Sequence, residues 1–144
     1  MTEADLVLGP LSLSVDGYQF PDVDDDWDAN WLNVRAEVEL PGQSWVKAAG
    51  AFVMTAELAR FREELRMLYE QLDGEAGLWT IEPELKVRLT AQPNGGLKVE
   101  ISLTPNQMTQ EHTFFVALDQ SYLPPVIHQI SDILNRFPVR GEQN

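Results

Sequence analysis

The residues whose types and spacing come closest to chemistry form an acidic cluster near the N-terminus. Its members are aspartates at nearly consecutive positions: Asp22, Asp24, Asp25, Asp26 and Asp28. Hard cations such as Ca²⁺ bind several carboxylate oxygens, and alternate aspartates open a calcium-binding loop. Here Ala29 replaces the required glycine, and Arg35 stands where the closing glutamate belongs. The sequence therefore predicts no metal site. It favours a solvated acidic loop that offers a docking surface to cationic groups.

Two tryptophans, Trp27 and Trp31, accompany this cluster. One interpretation is that both rings cover the core from the loop side, since large aromatic side chains are mostly buried. The other is that one ring anchors an interface, because tryptophan within a charged rim is a common hot spot of binding energy. The candidate partner-binding residues are therefore the five aspartates together with Trp27 and Trp31.

The patterns that usually carry catalysis are missing from the sequence. The chain has no cysteine, which excludes disulfides, thiolate nucleophiles and cysteine-ligated zinc. Its two histidines, His112 and His128, have no ligand residue nearby in sequence, so we expect structural or surface roles for them. No Gly-x-Ser-x-Gly elbow and no phosphate-binding glycine loop occurs. We therefore expect no catalytic residue, no metal and no cofactor.

The charge balance is strongly acidic, because 23 Asp and Glu residues stand against 10 Lys and Arg residues, for a net charge of −13. Such a surface repels phosphates, so nucleic acid is not an expected partner, whereas it attracts a basic protein. The alternative is that the acidity only keeps the protein soluble. The N-terminus lacks the basic start and apolar run of a secretory signal, and no stretch is long enough to span a bilayer. We expect a cytoplasmic protein without a membrane partner.

The length of 144 residues fits a single domain, 1–144, with one apolar core. Apolar residues that alternate with polar ones predict strands at 11–15, 32–40, 85–91, 97–103 and 112–118, a returning strand at 45–54 and a short strand at 78–81. Apolar residues at helical spacing predict two amphipathic helices. The first covers roughly 56–72, with Thr55 as N-cap and Asp73-Gly74 as its end, and the second begins near Leu123. The predicted fold class is α+β: a mostly antiparallel β-sheet with two amphipathic helices packed on it.

The turn Pro93-Asn94-Gly95 predicts the register of one hairpin. A three-residue loop pairs Ala91 with Leu97 and puts the apolar residues of both strands on one face. A two-residue loop would pair Ala91 with Lys98 and mix the faces. We therefore predict the three-residue form, with Gly95 in the left-handed bulge position.

Several segments together resemble the WapI-type immunity proteins. The most specific is Asp25-Asp26-Trp27-Asp28-Ala29-Asn30-Trp31-Leu32-Asn33-Val34, preceded by Gly17-Tyr18-Gln19-Phe20-Pro21. Three shorter segments also resemble the family: Thr55-Ala56-Glu57-Leu58, Glu82-Pro83-Glu84-Leu85 and Arg136-Phe137-Pro138. The resemblance implies a bacterial immunity protein that binds and neutralises a polymorphic toxin, often a nuclease domain. It implies no catalytic residues, and it implies that the shared segment supports the fold.

Two other classes of function remain open at this point. A small enzyme, such as a hydrolase that uses scattered carboxylates, would need a concave pocket with titratable groups of perturbed pKa. A general scaffold or secretion chaperone would bind several partners with modest affinity. The resemblance, together with the acidic charge, favours a non-catalytic protein that neutralises a basic toxin domain.

Overall fold

The computed structural model describes residues 3–23 and 28–141. Within these ranges the chain forms eight strands and two α-helices, and the strands make two separate four-stranded antiparallel sheets. The predicted α+β class and the antiparallel pairing are confirmed. The division into two sheets is a feature that the alternation of apolar residues alone does not reveal, because periodicity reports which face is buried and not which strands pair.

The first sheet follows the chain in the order β1 (Leu6–Leu8), β2 (Leu11–Tyr18), β3 (Trp31–Leu40) and β4 (Ser44–Met54). The strands predicted at 11–15, 32–40 and 45–54 are confirmed. The short strand β1 was not predicted, because three residues are too few to show an alternation.

The second sheet has the order β5 (Glu75–Leu78), β6 (Leu85–Ala91), β7 (Gly96–Leu103) and β8 (Thr113–Asp119). The strands predicted at 85–91 and 97–103 are confirmed, and the last predicted strand starts one residue later than expected, at Thr113.

The short strand predicted at 78–81 is wrong, because the pairing with β6 ends at Leu78. The physical reason is a tight connection just after it. The hydroxyl of Thr80 donates to the carbonyl oxygens of Glu82 and Leu85. These bonds turn the chain back towards β6, so residues 79–81 cannot continue the ladder.

The hairpin between β6 and β7 has the predicted register. Ala91 pairs with Leu97 and Leu89 pairs with Val99. The amide of Gln92 donates to the carbonyl of Gly96 at 2.9 Å, which closes a three-residue loop. Gly95 has a φ of 88°, so the left-handed bulge position is occupied as predicted.

Helix α1 (Thr55–Gln71) begins at Thr55, one residue earlier than the predicted first helical residue. Thr55 is therefore not the N-cap; it is the first helical residue, and Met54 is the N-cap. The Glu57 carboxylate accepts the Met54 N–H at 2.8 Å, so a side chain inside the first turn supplies the capping acceptor.

The end of α1 also differs from the prediction. The left-handed residue is Leu72, with a φ of 53° and a ψ of 36°, and its N–H donates to the Leu68 carbonyl. The helix thus ends before Asp73-Gly74. A leucine in this conformation carries steric strain that glycine would avoid.

Helix α2 (Leu123–Arg136) starts at the predicted residue, with Pro124 and Pro125 in its first turn. Proline is tolerated there because the first helical amides have no partner within the helix.

One buried apolar cluster joins the inner faces of both sheets to the apolar stripes of both helices. The helices pack against each other, α1 also lies along β5, and α2 lies near β1. The outer faces of both sheets therefore stay uncovered by either helix. Neither helix of the described residues has the length and apolar composition of a membrane span.

Candidate partner-binding surface

The structure separates the predicted partner-binding residues into three groups. Asp22 and Asp28 are exposed, and Asp28 begins a short 3-10 turn that leads into β3. Trp31 is only 8% exposed and pairs with Met54 across the first sheet. The remaining four, Asp24, Asp25, Asp26 and Trp27, lie outside the described residues. Trp31 thus occupies the position of a core side chain and presents little surface to a partner.

Asn30 lies at the base of the acidic loop and is 1% exposed. Its Oδ1 accepts hydrogen bonds from Thr55 Oγ1 and from the Arg140 amide, both at 2.7 Å. Its Nδ2 donates to the Arg140 carbonyl at 2.9 Å. One amide side chain therefore joins the loop, the start of α1 and the C-terminal segment, which are distant in sequence.

The Arg140 guanidinium binds the backbone at both ends of the acidic loop. It donates to the carbonyls of Phe20 and Pro21 at 2.9 Å and 2.8 Å, and to the Ala29 carbonyl through Nε at 3.0 Å. The group also lies 3.6 Å from the centre of the Tyr18 ring, a cation–π arrangement. These contacts tie the backbone at both ends of the acidic loop to the C-terminal segment.

Tyr18 completes this support. Its hydroxyl donates to the Pro138 carbonyl, and its ring meets Phe137 edge-on with centroids 5.6 Å apart. Partial burial raises the pKa of Tyr18, and the Arg140 charge partly offsets that rise. The phenol therefore stays protonated and keeps its donor role at neutral pH. These contacts hold the ends of the loop in place, with Phe20 and Asp22 exposed beside them.

The outer face of the first sheet forms a second accessible surface. A shallow trough of about 690 Å³ runs across β2, β3 and β4, with small side chains such as Ser12, Ser14 and Ala49 in its lining. Arg35 forms a two-atom ion pair with Asp16 at one side. These groups are paired and exposed, so the trough lacks the isolated carboxylates that acid–base catalysis requires.

An exposed aromatic side chain contacts two residues that line the trough, Glu37 and Lys47. Trp45 is 63% exposed, and its Nε1 donates to Glu37 at 2.6 Å. The Lys47 ammonium lies 4.1 Å from the centre of the Trp45 ring. The surface there combines both signs of charge, so its net attraction for a cationic partner is weak.

A third surface lies where the chain leaves β5 along α1. Glu64 Oε1 accepts from the Gly77 amide and from Trp79 Nε1, each at 3.0 Å. A side chain at Gly77 is excluded, because its Cβ would lie 2.3 Å from the Trp79 indole. In this packing the Trp79 side chain is 38% exposed, and Ile81, two residues later, is 61% exposed.

Carboxylates with perturbed pKa values lie next to this surface. Burial raises the pKa of Glu57, although the backbone amides of Met54 and Ile81 donate to its two oxygens at 2.8 Å. Burial and the neighbouring Glu82 charge raise the pKa of Glu84. Both oxygens of Glu57 are engaged by backbone donors, which accounts for the residue as a structural capping group.

Metal binding has no geometric support in the part of the chain that the structure describes. No group of three or more His, Asp or Glu side chains in 3–23 and 28–141 is placed to hold an ion. The exposed carboxylates of these ranges can attract a cationic surface but do not form a coordination site.

Sequence reasoning missed the residues that organise the loop. The side chain of Asn30 contacts two segments that are distant in sequence, Thr55 and Arg140, and nothing in its local sequence indicates these contacts. Arg140 gave no signal, because a single arginine after a helix-ending proline predicts nothing about contacts 111 to 120 residues away. The resemblance-based expectation that the shared segment supports the fold agrees with the burial of Ala29, Asn30 and Trp31.

Solved structures share the fold of this chain at very low sequence identity. A plant transcriptional regulator, PBF-2, superposes with a TM-score of 0.54 at 6% identity, over 88% of this chain and 75% of that one. WHY3 from Arabidopsis thaliana gives a TM-score of 0.52 at 9% identity, over 92% of this chain and 85% of that one. At such identities the likeness shows a common fold and no common function.

The sequence itself identifies the family. A comparison with curated proteins gives no match. Residues 7–138, in contrast, match the family described as "Immunity protein WapI-like family". This match covers nearly the whole chain, including the loop that Asn30 and Arg140 support, and the chain therefore belongs to the WapI-like immunity protein family.

Proposed function

We propose that this protein is a cytoplasmic immunity protein that binds and neutralises a cognate, basic toxin domain, and that it has no catalytic activity of its own. The observation that carries the proposal is the match to an immunity family over residues 7–138. The net charge of −13 supports a basic partner, because opposite fields accelerate encounter and reject acidic competitors. The same charge makes nucleic acid an unfavourable partner.

The acidic loop is the surface that we assign to the toxin. Arg140 holds the two ends of the loop through the backbone carbonyls of Phe20, Pro21 and Ala29. Ends whose position is fixed in advance lose less entropy on binding. The residues proposed to contact the toxin are those predicted from sequence, with one change of role for Trp31.

Trp31 is a supporting residue in this proposal, since 8% exposure leaves it little area to bury against a partner. Phe20 is a better anchor among the described residues, because it is 40% exposed and lies close to Asp22. An exposed aromatic side chain beside carboxylates matches the composition of binding hot spots, which combine apolar area with a charged rim.

A toxin that grips phosphates gives a simple mechanism for neutralisation. Nuclease domains carry basic surfaces for their substrate. Several aspartates close together in the chain can cover such a surface and exclude the phosphates by competition for the same cationic groups. Tight inhibition needs an interface of roughly 1,600 Å², which a domain of this size can present.

The test is co-expression of this chain with the C-terminal domain encoded by the adjacent toxin-like gene. We expect growth to be restored and the two chains to co-purify. A loop variant carries Asp→Asn at positions 22, 24, 25 and 26. Its matched control carries Glu3→Gln, Glu70→Gln, Asp73→Asn and Asp132→Asn, all at exposed sites outside the loop.

Both variants change the net charge from −13 to −9, so only the location of the lost charge differs. We expect the loop variant to lose protection and the control to keep it. Equal protection by both variants would move the binding site away from the loop. Failure of the unmodified chain to protect would contradict the proposed function itself.

A further inference from the structure

The outer edges of the two sheets are not equally guarded. At the edge of β1, the amide of Val7 donates to the Gln129 side chain of α2 at 2.9 Å. At the edge of β5, the amide of Gly77 donates to Glu64 of α1. The edge strand β4 carries an exposed lysine, Lys47, and its pairing with β3 is interrupted by a register shift between Leu32 and Val34. Charge, irregularity and covering side chains are the usual means of blocking an edge.

The fourth edge, that of β8, is the least protected edge among the described residues, since its one charged side chain, Asp119, lies at the very end of the strand. The strand pairs with β7 without a register shift, and residues 113–118 contain no charged side chain. Phe115 is 61% exposed on the outer face. Phe114, Val116 and Leu118 face the core, yet each of them stays partly exposed, as expected beside an open edge.

The outward backbone groups of β8 follow from its pairing. The Leu103 amide donates to the His112 carbonyl, so His112 belongs to a hydrogen-bonded pair with β7. Such pairs alternate along an antiparallel ladder. The N–H and C=O groups of Thr113, Phe115 and Ala117 therefore point away from β7. Within the described ranges no hydrogen bond engages these groups. We call this row the β8 edge.

We propose that the β8 edge pairs antiparallel with the β8 edge of a second copy of this chain, about a two-fold axis at Val116. The outward N–H and C=O groups belong to odd-numbered residues. A symmetric antiparallel pairing centred near the middle of β8 therefore has two possible registers. One places Phe115 opposite Ala117 of the second copy and Thr113 opposite Asp119. The other places Phe115 opposite itself and Asp119 opposite Glu111, which sets two carboxylates against each other at both ends. Like charges directly opposite destabilise a pair, so the first register is favoured.

This register is self-complementary in size and polarity. On the inner side, Val116 meets its own copy and Phe114 meets Leu118, so the partly exposed core side chains become covered. On the outer side, the Phe115 rings of the two copies come within diagonal reach. The pairing would join the second sheet of one copy, β5 to β8, to the second sheet of the other copy and form one continuous sheet of eight strands.

Local charge also favours a second copy at this place despite the acidic chain. The outer face of the second sheet carries three basic side chains, Lys86, Arg88 and Lys98, against three acidic ones, Glu75, Glu100 and Asp119. Two copies that meet at β8 therefore bring together faces that are close to neutral. The acidic excess lies elsewhere on the chain, where salt screens it over about 8 Å at physiological ionic strength.

Sedimentation equilibrium of the purified chain in about 0.15 M salt tests the proposal. We expect a reversible dimer. The variant Thr113→Lys places an ammonium opposite Asp119 twice per dimer and should tighten dimerisation about 2- to 30-fold, while Thr113→Asp should weaken it by a similar factor. The matched controls Thr90→Lys and Thr90→Asp lie on the same sheet face in β6 and should leave the dimer constant unchanged.

A charge exchange tests the register directly. Phe115→Glu and Ala117→Lys should each weaken the dimer, and the two together should restore it, since each new carboxylate then faces a new ammonium of the second copy. Circular dichroism of each variant verifies that the exposed substitutions leave the fold intact. A chain that stays monomeric up to roughly millimolar concentration overturns the proposal. A dimer insensitive to the residue at position 113, or a β8 edge that binds only the toxin, overturns it equally.

Discussion

At the scale of single residues, the acidic loop depends on one buried amide. Asn30 satisfies the Thr55 hydroxyl and both backbone groups of Arg140. Such a side chain is costly to remove, because its partners are left in a place that water does not reach. The family segment around Asn30 is therefore best understood as a support for the loop.

The first prediction concerns this amide. Asn30→Ala leaves the Thr55 hydroxyl and the Arg140 amide without their acceptor, and should lower the free energy of unfolding by about 2–4 kcal/mol. Urea denaturation followed by tryptophan fluorescence measures the loss. The matched substitution Asn33→Ala, at an exposed position of β3, should change it by less than about 0.5 kcal/mol. Equal losses for the two variants would refute the structural role of Asn30.

The second prediction concerns the Glu57 carboxyl, whose pKa burial raises above 4.5 in the folded chain. The folded state therefore holds this proton more tightly than the unfolded state does. Its contribution to stability is present below pH 4.5 and is lost as the pH rises through the raised pKa. Glu57→Gln cannot titrate, so the unfolding free energy of the unmodified chain should fall relative to that of the variant over this pH window.

Denaturant titrations of both proteins at several pH values measure that difference. Glu70→Gln, at an exposed position of the same helix, serves as the control and should run parallel to the unmodified chain. The quantity to follow is the unfolding free energy of the unmodified chain minus that of Glu57→Gln. If this difference stays constant across the window, or rises with pH, burial is not the cause of the raised pKa.

At the scale of elements, the end of α1 carries a strained residue. Leu72 adopts a left-handed conformation and is 46% exposed. A Cβ in this region crowds the backbone, which glycine avoids. The strain is local, so it can be relieved without changing the core.

The third prediction follows from that strain. Leu72→Gly should raise the free energy of unfolding by about 0.5–1 kcal/mol, since the relief of strain exceeds the entropy that glycine loses on folding. Leu72→Ala keeps the Cβ and should bring no gain. Thermal and chemical unfolding of both variants measure the change in free energy of unfolding. If Leu72→Gly and Leu72→Ala are stabilised equally, the cause is the loss of exposed apolar surface and not the relief of strain.

Local rules predicted those elements whose determinants are close together in the sequence. The β6–β7 register followed from the turn Pro93-Asn94-Gly95 and from the need to keep apolar residues on one face. The start of α2 followed from its prolines. The cap of α1 was missed because Thr55 donates to Asn30, a residue 25 positions away. The sheet division and the role of Arg140 likewise rest on contacts between distant segments, which periodicity does not encode.

At the scale of the whole molecule, two surfaces have separate roles in this account. The acidic loop is assigned to a basic toxin, and the β8 edge to a second copy. The exposed Trp79 and Ile81, held beside α1 by Glu64 and Glu57, form an additional apolar surface to which no partner is assigned. Because the loop and the β8 edge share none of their residues, a change at one should leave binding at the other unaltered.

The association kinetics of this chain with its cognate toxin domain give the sharpest test of the role assigned to the acidic loop. If surplus negative charge on the loop captures a basic partner, the association rate constant should fall by about tenfold or more between roughly 0.05 M and 0.5 M salt. The dissociation rate should change much less. At low salt, the association rate constant of the loop variant should be lower than that of the matched control, and it should depend less on the salt concentration. No association at micromolar concentrations, or an association rate indifferent to salt, would contradict the account.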